Sequence, residues 1–158
     1  GNFPREQAVR LLSHIAREMG SDDRFLLGAD LIKDPDVINR AYNDSRGVTA
    51  AFNLNILARL NRELGADFPL ADYEHHAFYS SEHHRVEMHL IAQHAQKVTI
   101  PQIGDISFEK GESIRTELSY KYDRTILEDI LCASGLVLEK WMPADDDSFA
   151  LALARAEG

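Results

Sequence analysis

The sequence is poor in cysteine and in positive charge. Cys132 is the only cysteine among 158 residues, so no disulfide can form within the chain, and we expect a protein of the reducing cytoplasm. The 17 Lys and Arg residues are outnumbered by 26 Asp and Glu residues, which gives a net charge of −9. A surface of that sign repels phosphate backbones, so we expect no nucleic-acid partner.

Long apolar runs are also missing. The longest are a few residues, such as FALALA at 149–154, which are too short to cross a bilayer, so we expect no membrane partner. No basic segment followed by an apolar run opens the chain, and we expect no signal peptide. The 44% of hydrophobic and 27% of charged residues are typical of a globular protein with a core of its own.

The first third of the chain predicts helices around one buried strand. Apolar residues recur at helical spacing over 4–19, 35–42 and 48–64. Residues 24–32, RFLLGADLI, predict a strand that is buried on both faces and is therefore a candidate parallel strand. Because the chain passes from Gly1-Asn2 into the first helix with no strand ahead of it, we expect the sequence to begin inside a larger α/β domain.

From residue 73 the spacing of the apolar residues changes. Alternating or β-branched segments predict an antiparallel meander over 73–79, 84–94, 97–103, 105–109 and 113–122. A predicted helix over 123–134 and two predicted strands over 136–142 and 149–154 follow. This order predicts an α/β domain that is interrupted by an α+β insert with an antiparallel sheet.

Glu117 and Ser119 stand two apart in a predicted strand, so their side chains share one face. A carboxylate beside a hydroxyl can hold a ring N–H or an ammonium group. A solvated outer face of the strand accounts for the same pattern. Both interpretations stay open on this evidence.

Polar residues also cluster at the junction of two predicted helices, over 42–44 and 47–53. Such a junction can point backbone N–H groups into a cleft, although ordinary helix capping by Asp44, Ser45 or Thr49 accounts for it equally well. No glycine-rich phosphate loop, nucleophile elbow or paired-cysteine motif occurs.

The histidines at 75–76 and 83–84 form adjacent pairs. Adjacent strand residues point to opposite faces, so each pair offers one ligand to any one site, and we expect exposed histidines and no metal. Met88 lies on the apolar side of an alternating segment, which is typical of a core position.

A set of segments in fixed order resembles a single family. The segments are LLGADLIKD (26–34), AYND (41–44), GVTAAFNLNIL (47–57), NREL (61–64), RVEMHL (85–90), GESIRTELSYKY (111–122) and the ending W–x7–FALALA. Taken together, they resemble the histidine-specific S-adenosylmethionine-dependent N-alpha-methyltransferases of the ergothioneine pathway. The resemblance extends over nearly the whole chain.

The resemblance implies the C-terminal half of a Rossmann-like methyltransferase, in which Gly1-Asn2 match the end of a GSTIGN-like junction. Residues 1–40 and 123–158 would belong to the Rossmann-like core, and residues 41–122 would form the substrate-binding α+β insert. The contacts with the co-substrate S-adenosylmethionine would lie in the N-terminal half. No residue of this chain is therefore assigned to them.

Carried over residue by residue, the resemblance makes Asn2 the group that grips the α-amino and carboxylate ends of the substrate, and Tyr42 adds a carboxylate contact. Glu117 and Ser119 match the pair that holds the imidazole ring, and Met88 lines the ring's pocket. We therefore expect a cytoplasmic transferase whose full-length form trimethylates the α-amino group of L-histidine.

The 158-residue chain alone is expected to be inactive, and the group that accepts the amine's proton is not assigned. Two alternatives stay open. The chain could be a non-enzymatic module that binds an amino acid or another small ligand, or a methyltransferase of the same fold with a different amino-acid substrate.

Overall fold

The computed structural model describes residues 1–158 and consists of four helices, a short 3₁₀ turn and eight strands. The helices are α1 (Arg5–Glu18), α2 (Pro35–Tyr42), α3 (Val48–Leu64) and α4 (Arg124–Ala133), and the 3₁₀ turn is Leu70–Asp72. The strands are β1 (Phe25–Asp30), β2 (Tyr73–Ser80), β3 (Arg85–Ala92), β4 (Gln96–Ile100), β5 (Gly104–Phe108), β6 (Ser113–Tyr120), β7 (Leu136–Pro143) and β8 (Phe149–Ala156). The predicted mixed α/β class with antiparallel sheets is confirmed.

The chain divides into two compact units, which are described separately. The first unit comprises Gly1–Asp34, Ser81–Arg85 and Leu118–Gly158, and the second comprises Pro35–Ser80 and Val86–Glu117. The predicted division at 41–122 has other bounds and stays a prediction. None of the four helices combines the length and the apolarity needed to cross a membrane.

The first unit is built on a three-stranded sheet in the order β1-β8-β7, with both strand pairs antiparallel. Helices α1 and α4 supply the apolar side chains that cover it, among them Leu12 and Leu131. Helix α4 is capped by Asp123, whose carboxylate accepts a hydrogen bond from the Ile126 backbone N–H at 2.7 Å. That bond satisfies one of the donors that a helix start leaves open.

The prediction that residues 24–32 form a strand buried on both faces is wrong. Strand β1 pairs antiparallel with β8, and Leu26 is 55% exposed. Leu27 and Ala29 belong to the core, so the strand buries one face and opens the other. The run of apolar residues hides this alternation because both faces carry leucine. Gly28 fits the open face only because it has no side chain: a Cβ there would lie 2.6 Å from the Phe149 ring.

The second unit contains helices α2 and α3, a sheet in the order β2-β3-β6 and the separate antiparallel hairpin β4–β5. Its larger core cluster gathers around Leu57 of α3, and a smaller one contains Ile38 of α2. Helix α3 is flanked by Gly47 and Gly65, both in the left-handed conformation that glycine adopts without strain.

The predicted five-stranded meander is wrong in its connections. Strands β4 and β5 pair with each other and leave the sheet, and β6 returns to lie beside β3. The return is fixed at the end of β3, where the Ala92 carbonyl accepts from the Gly111 N–H at 2.8 Å and the Ala92 N–H donates to the Glu112 carbonyl at 2.9 Å. These bonds bring the chain back to β3 after the hairpin.

Candidate functional site

Strand β6 carries both residues of the predicted ring-binding pair. Glu117 and Ser119 are two residues apart in this strand and are half-buried. Their spacing gives them the same face of the strand, and Lys121, the first residue after the strand, continues the two-residue spacing. Glu117 is the last residue of the second unit, whereas Ser119 and Lys121 belong to the first.

In the first unit, Ser119 is held by a buried lysine that the sequence analysis did not single out. The side chain of Lys121 is 1% exposed. Its Nζ donates to Ser119 Oγ at 2.8 Å and lies 2.9 Å from Asp30 Oδ2. The backbone N–H of Lys121 donates to the His84 carbonyl at 2.7 Å, which fixes the strand end from which the side chain extends. The two-residue alternation 117, 119, 121 is the signal that could have identified Lys121.

Asp30 compensates the buried charge of Lys121 and binds a second lysine. Its other oxygen, Oδ1, accepts from Lys33 Nζ at 2.6 Å, and Lys33 also donates to the Ser148 carbonyl at 2.8 Å. Burial alone would raise the pKa of Asp30, but the hydrogen bonds and charges of Lys33 and Lys121 outweigh it and hold that pKa below its usual value. The carboxylate is therefore ionised and can neutralise the lysines.

Asn2 lies beside the same strand end, also within the first unit. Its Nδ2 donates to the Leu118 carbonyl at 3.1 Å, and the Gly1 carbonyl accepts from the Tyr120 N–H at 2.8 Å. These two bonds align the start of the chain with the residues on either side of Ser119. The structure therefore brings Asn2 and Ser119, two of the predicted substrate-binding residues, into one neighbourhood.

In the second unit, a network of neutral polar groups surrounds Asn53, which is 3% exposed. Thr116 Oγ1 donates to Asn53 Oδ1 at 2.6 Å, and Asn53 Nδ2 donates to the His89 carbonyl at 3.0 Å. Asn53 Nδ2 also lies 3.0 Å from His75 Nδ1, and His75 Nε2 lies 2.9 Å from the carbonyl of Tyr42. Because a carbonyl can only accept, these contacts put the His75 proton on Nε2.

Through these hydrogen bonds the network contacts the backbone of Tyr42 and the side chain of Thr116, the residue before Glu117. Expectation and structure differ for His75, which is half-buried and hydrogen-bonded rather than an exposed strand histidine. The signal for Asn53 was weak in the sequence because its partner His75 lies 22 positions away. Only the packing of α3 against the sheet brings the two side chains together.

Met88 and Tyr42, two further predicted residues, lie in one apolar cluster of the second unit. Met88 is 2% exposed and belongs to the cluster with Ile38, Ala77 and Val86, against which Tyr42 packs. The interpretation of Met88 as a core residue is therefore correct.

Glu117 also lines a cavity of about 210 Å³ within the second unit. Its other walls come from α3 and from Thr116, with Phe52, Asn53, Asn55, Ile56 and Arg59 on the helix side. A carboxylate beside apolar and aromatic surface is the composition expected of a small polar-ligand pocket. Phe52 and Arg59 were not among the predicted site residues.

Within the polar cluster at 42–44, helix capping accounts for Asp44. Asp44 accepts from the backbone N–H of Thr49 at 2.8 Å and of Val48 at 3.0 Å. These bonds, that from Thr49 above all, lower the pKa of Asp44 to about 2. Asp44 therefore acts as an ionised cap at the start of α3.

The described chain offers neither a metal cluster nor the loop expected of a nucleotide-like cofactor. No three His, Cys, Asp or Glu side chains converge in residues 1–158. Strand β1 is followed by residues 31–34, LIKD, which contain no glycine, and Asp30 at its end is already bound by two lysines. These residues do not fit an S-adenosylmethionine site of the glycine-loop kind.

Three known proteins similar to this chain are named for histidine methylation or for ergothioneine biosynthesis. The chain is 40% identical over 155 residues to "Histidine N-alpha-methyltransferase" of Mycolicibacterium smegmatis. The match covers 98% of this chain and 48% of that protein. It is 38% identical over 155 residues to the protein of the same name from Mycobacterium tuberculosis, with the same shares. It is 30% identical over 129 residues to "Ergothioneine biosynthesis protein 1" of Neurospora crassa, over 73% of this chain and 14% of that protein.

Among solved structures, an S-adenosylmethionine-dependent methyltransferase from Clostridium acetobutylicum matches 98% of this chain and 53% of its own, with 10% identity and a TM-score of 0.46. The chain spans about half the length of the two mycobacterial relatives, 48% of each. A family model described as histidine-specific, SAM-dependent methyltransferase matches residues 1–156. This match confirms the resemblance found in the sequence, and the chain therefore belongs to the histidine-specific SAM-dependent methyltransferase family.

Proposed function

We propose that this chain is the substrate-recognition portion of an enzyme that transfers methyl groups from S-adenosylmethionine to the α-amino nitrogen of L-histidine. Up to three transfers would give the trimethyl betaine. The high coverage of this chain by relatives named for histidine N-alpha-methylation supports the proposal. The name of the Neurospora crassa relative supports a place in ergothioneine biosynthesis.

In this proposal, different residues bind the two ends of the substrate. Asn2 and Tyr42 hold the amino-acid end, Glu117 and Ser119 hold the imidazole ring, and Met88 contributes an apolar wall. The observation that carries the proposal is the hydrogen bonding of Gly1 and Asn2 along the strand end that contains Ser119. It gives two of the five residues a common neighbourhood although they are more than a hundred positions apart in the sequence.

These residues would bind the substrate and orient it for methyl transfer. S-adenosylmethionine carries an already activated methyl group, so the protein has to present a neutral amine in line with it. Alignment of reacting groups can lower a barrier by as much as about 7–11 kcal/mol in favourable cases. A pocket whose polar groups require a ring N–H rejects amino acids that leave those groups without a partner.

The test is calorimetric titration of L-histidine into the complete gene product that contains these 158 residues. Glu117→Ala is expected to weaken binding by at least about tenfold, because a charge-assisted hydrogen bond is lost. Glu74→Ala, which removes an exposed carboxylate from β2 of the same sheet, is the matched control and should leave the affinity unchanged. Equal affinities in wild type and Glu117→Ala would rule out the imidazole role.

Methyl-transfer assays separate the proposal from its alternatives. The complete gene product should methylate L-histidine faster than any other amino acid in a panel of the common twenty. The 158-residue chain alone should show no transfer, and turnover by it would contradict the assignment of the cofactor contacts to another part of the protein. The cytoplasmic location and the lack of a nucleic-acid or membrane partner stay predictions from composition.

A further inference from the structure

A cavity of about 170 Å³ lies within the first unit, between the start of α1, the turn at 81–84 and helix α4. None of the five residues proposed to bind the substrate lines it. Sites for drug-sized ligands have volumes of roughly 300–1,000 Å³, so this cavity suits a molecule no larger than one six-membered ring with a small substituent. It is therefore separate from the proposed substrate site and has room for one small molecule.

The charged residues of this cavity are all of the basic kind. Arg5, His83 and His84 line it, and no Asp or Glu does, although the net charge of the chain is −9. Lys121 also lines it, but the charge of that lysine is balanced by Asp30. The guanidinium of Arg5 is always charged, and no carboxylate of the chain pairs with it. The cavity therefore attracts an anion, and Arg5 is the cation that the fold leaves for it.

The remaining walls of this cavity are aromatic and apolar. Phe3, Tyr120 and Tyr122 bring three rings to it, and α4 adds two isoleucines. Tyr120 is positioned by Arg85, whose guanidinium donates to the tyrosine hydroxyl at 3.0 Å and lies 5.6 Å from the centre of its ring. Burial raises the pKa of Tyr122, so its hydroxyl adds no negative charge. Aromatic walls beside a cation suit a ligand that combines an aromatic body with an acidic group.

His84 occupies a strained backbone position at the edge of this cavity. Its φ is 46°, in the left-handed region that glycine adopts without strain. The turn is fixed there, because the His84 carbonyl accepts from the Lys121 N–H at 2.7 Å. A glycine would form the same turn without strain, so the imidazole is present at a cost in stability. Strained residues of this kind cluster at ligand sites.

We propose that this cavity is a binding site for a small aromatic carboxylate, with the carboxylate on Arg5 and the ring among the aromatic side chains. The planar guanidinium matches the two oxygens of a carboxylate. His84 supplies an imidazole N–H to the same group. The site is distinct from the one proposed for L-histidine, and the inference does not depend on the proposed function.

The test is calorimetric titration of benzoate, and of its neutral isostere benzamide, into the complete gene product. Wild type should bind benzoate at least about tenfold more tightly than benzamide, because only benzoate offers a charge to Arg5. Arg5→Gln should remove most of this preference. Arg10→Gln, which removes an arginine of the same helix outside the cavity, is the matched control and should keep it. No binding of benzoate, equal affinities for the two ligands, or an unchanged preference in Arg5→Gln would overturn the inference.

His84→Gly removes the imidazole without disturbing the turn. The variant should unfold at about the wild-type temperature, because relief of the left-handed strain offsets the greater freedom of glycine in the unfolded chain. It should bind benzoate about threefold more weakly, through loss of one hydrogen bond. Wild-type affinity for benzoate in the folded variant would refute the part assigned to His84.

A third arm of the experiment separates this site from the proposed substrate site. Benzoate should bind equally well in the presence of excess L-histidine, since no residue proposed to bind histidine lines this cavity. Displacement of benzoate by L-histidine would overturn the claim of a distinct site.

Discussion

In the first unit, the most deeply buried polar side chain is the charged Lys121, whereas in the second unit it is the neutral amide of Asn53. Lys121 is balanced by one ionised carboxylate, that of Asp30, at 2.9 Å. Asn53 is balanced by three neutral partners, at 2.6 to 3.0 Å. The comparison shows two ways to fix a polar side chain next to strand β6.

The Lys121–Asp30 ion pair and the Asn53 network differ in the groups that they position. A buried ammonium needs an opposite charge, and it donates to any hydroxyl oxygen within its reach. A neutral network places several backbone and side-chain groups at once, since every member must be satisfied. The first arrangement places a lysine donor at Ser119 Oγ, and the second fixes the surroundings of Thr116.

The largest expected effects come from the apolar cores, in which the two units should be alike. Leu131 of α4 and Leu57 of α3 are each 1% exposed. Changing either to alanine should lower the free energy of unfolding by about 2–5 kcal/mol through lost contacts and a cavity. Urea denaturation checks this, with Leu26→Ala, at a site that is 55% exposed, as the control. A loss no greater than that of the control in either unit would refute the core assignment for that unit.

A smaller effect is expected from breaking the neutral network. Asn53→Leu keeps the approximate volume of the side chain but leaves the Thr116 hydroxyl and the His89 carbonyl without their amide partner. The expected cost is about 1–3 kcal/mol in the free energy of unfolding. Asn55→Leu, on the exposed side of the same helix, should cost less than about 0.5 kcal/mol. Equal costs for the two variants would show that the network does not stabilise the second unit.

The smallest expected effect on the free energy of unfolding comes from removing the charge of Asp30, and it depends on pH. The pKa of Asp30 is lower in the folded state than in the unfolded chain, so the unfolded chain binds the proton more readily. Its contribution to stability is therefore present above about pH 4 and is lost as the pH falls further. Because the side chain is 39% exposed, Asp30→Asn should cost less than about 1 kcal/mol at neutral pH.

Thermal unfolding of wild type and Asp30→Asn at a series of pH values measures this difference. The stability gap between the two proteins should shrink as the pH is lowered from 7 toward 3, since wild type then loses the charge that the variant already lacks. A gap that stays constant or widens over this range would contradict the ionised state of Asp30.

Much of the local structure could be predicted from the sequence, because it depends on neighbouring residues. The helices and the last two strands lie where apolar spacing and glycine positions predict them. Lys121 could have been predicted as well, since it shares the alternation of Glu117 and Ser119. The pairing of β1 with β8 could not, because Phe25 meets Ala154 across more than a hundred positions and no local pattern encodes that choice.

In the candidate site, too, contacts between residues distant in sequence could not be predicted. The family resemblance supplied Asn2 and Tyr42, but their surroundings come from contacts that are distant in sequence. Asn2 meets Leu118 across 116 positions, and His75 meets the Tyr42 carbonyl across 33. Such contacts follow from packing, which the spacing of apolar residues along the chain does not specify.

The central proposal is that Glu117 and Ser119 of β6 hold the imidazole ring of L-histidine. The most direct test is a crystal structure of the complete gene product with L-histidine. We expect one ring nitrogen within about 3.2 Å of the Glu117 carboxylate and the other within the same distance of Ser119 Oγ. A histidine whose ring lies away from both side chains would contradict the claim.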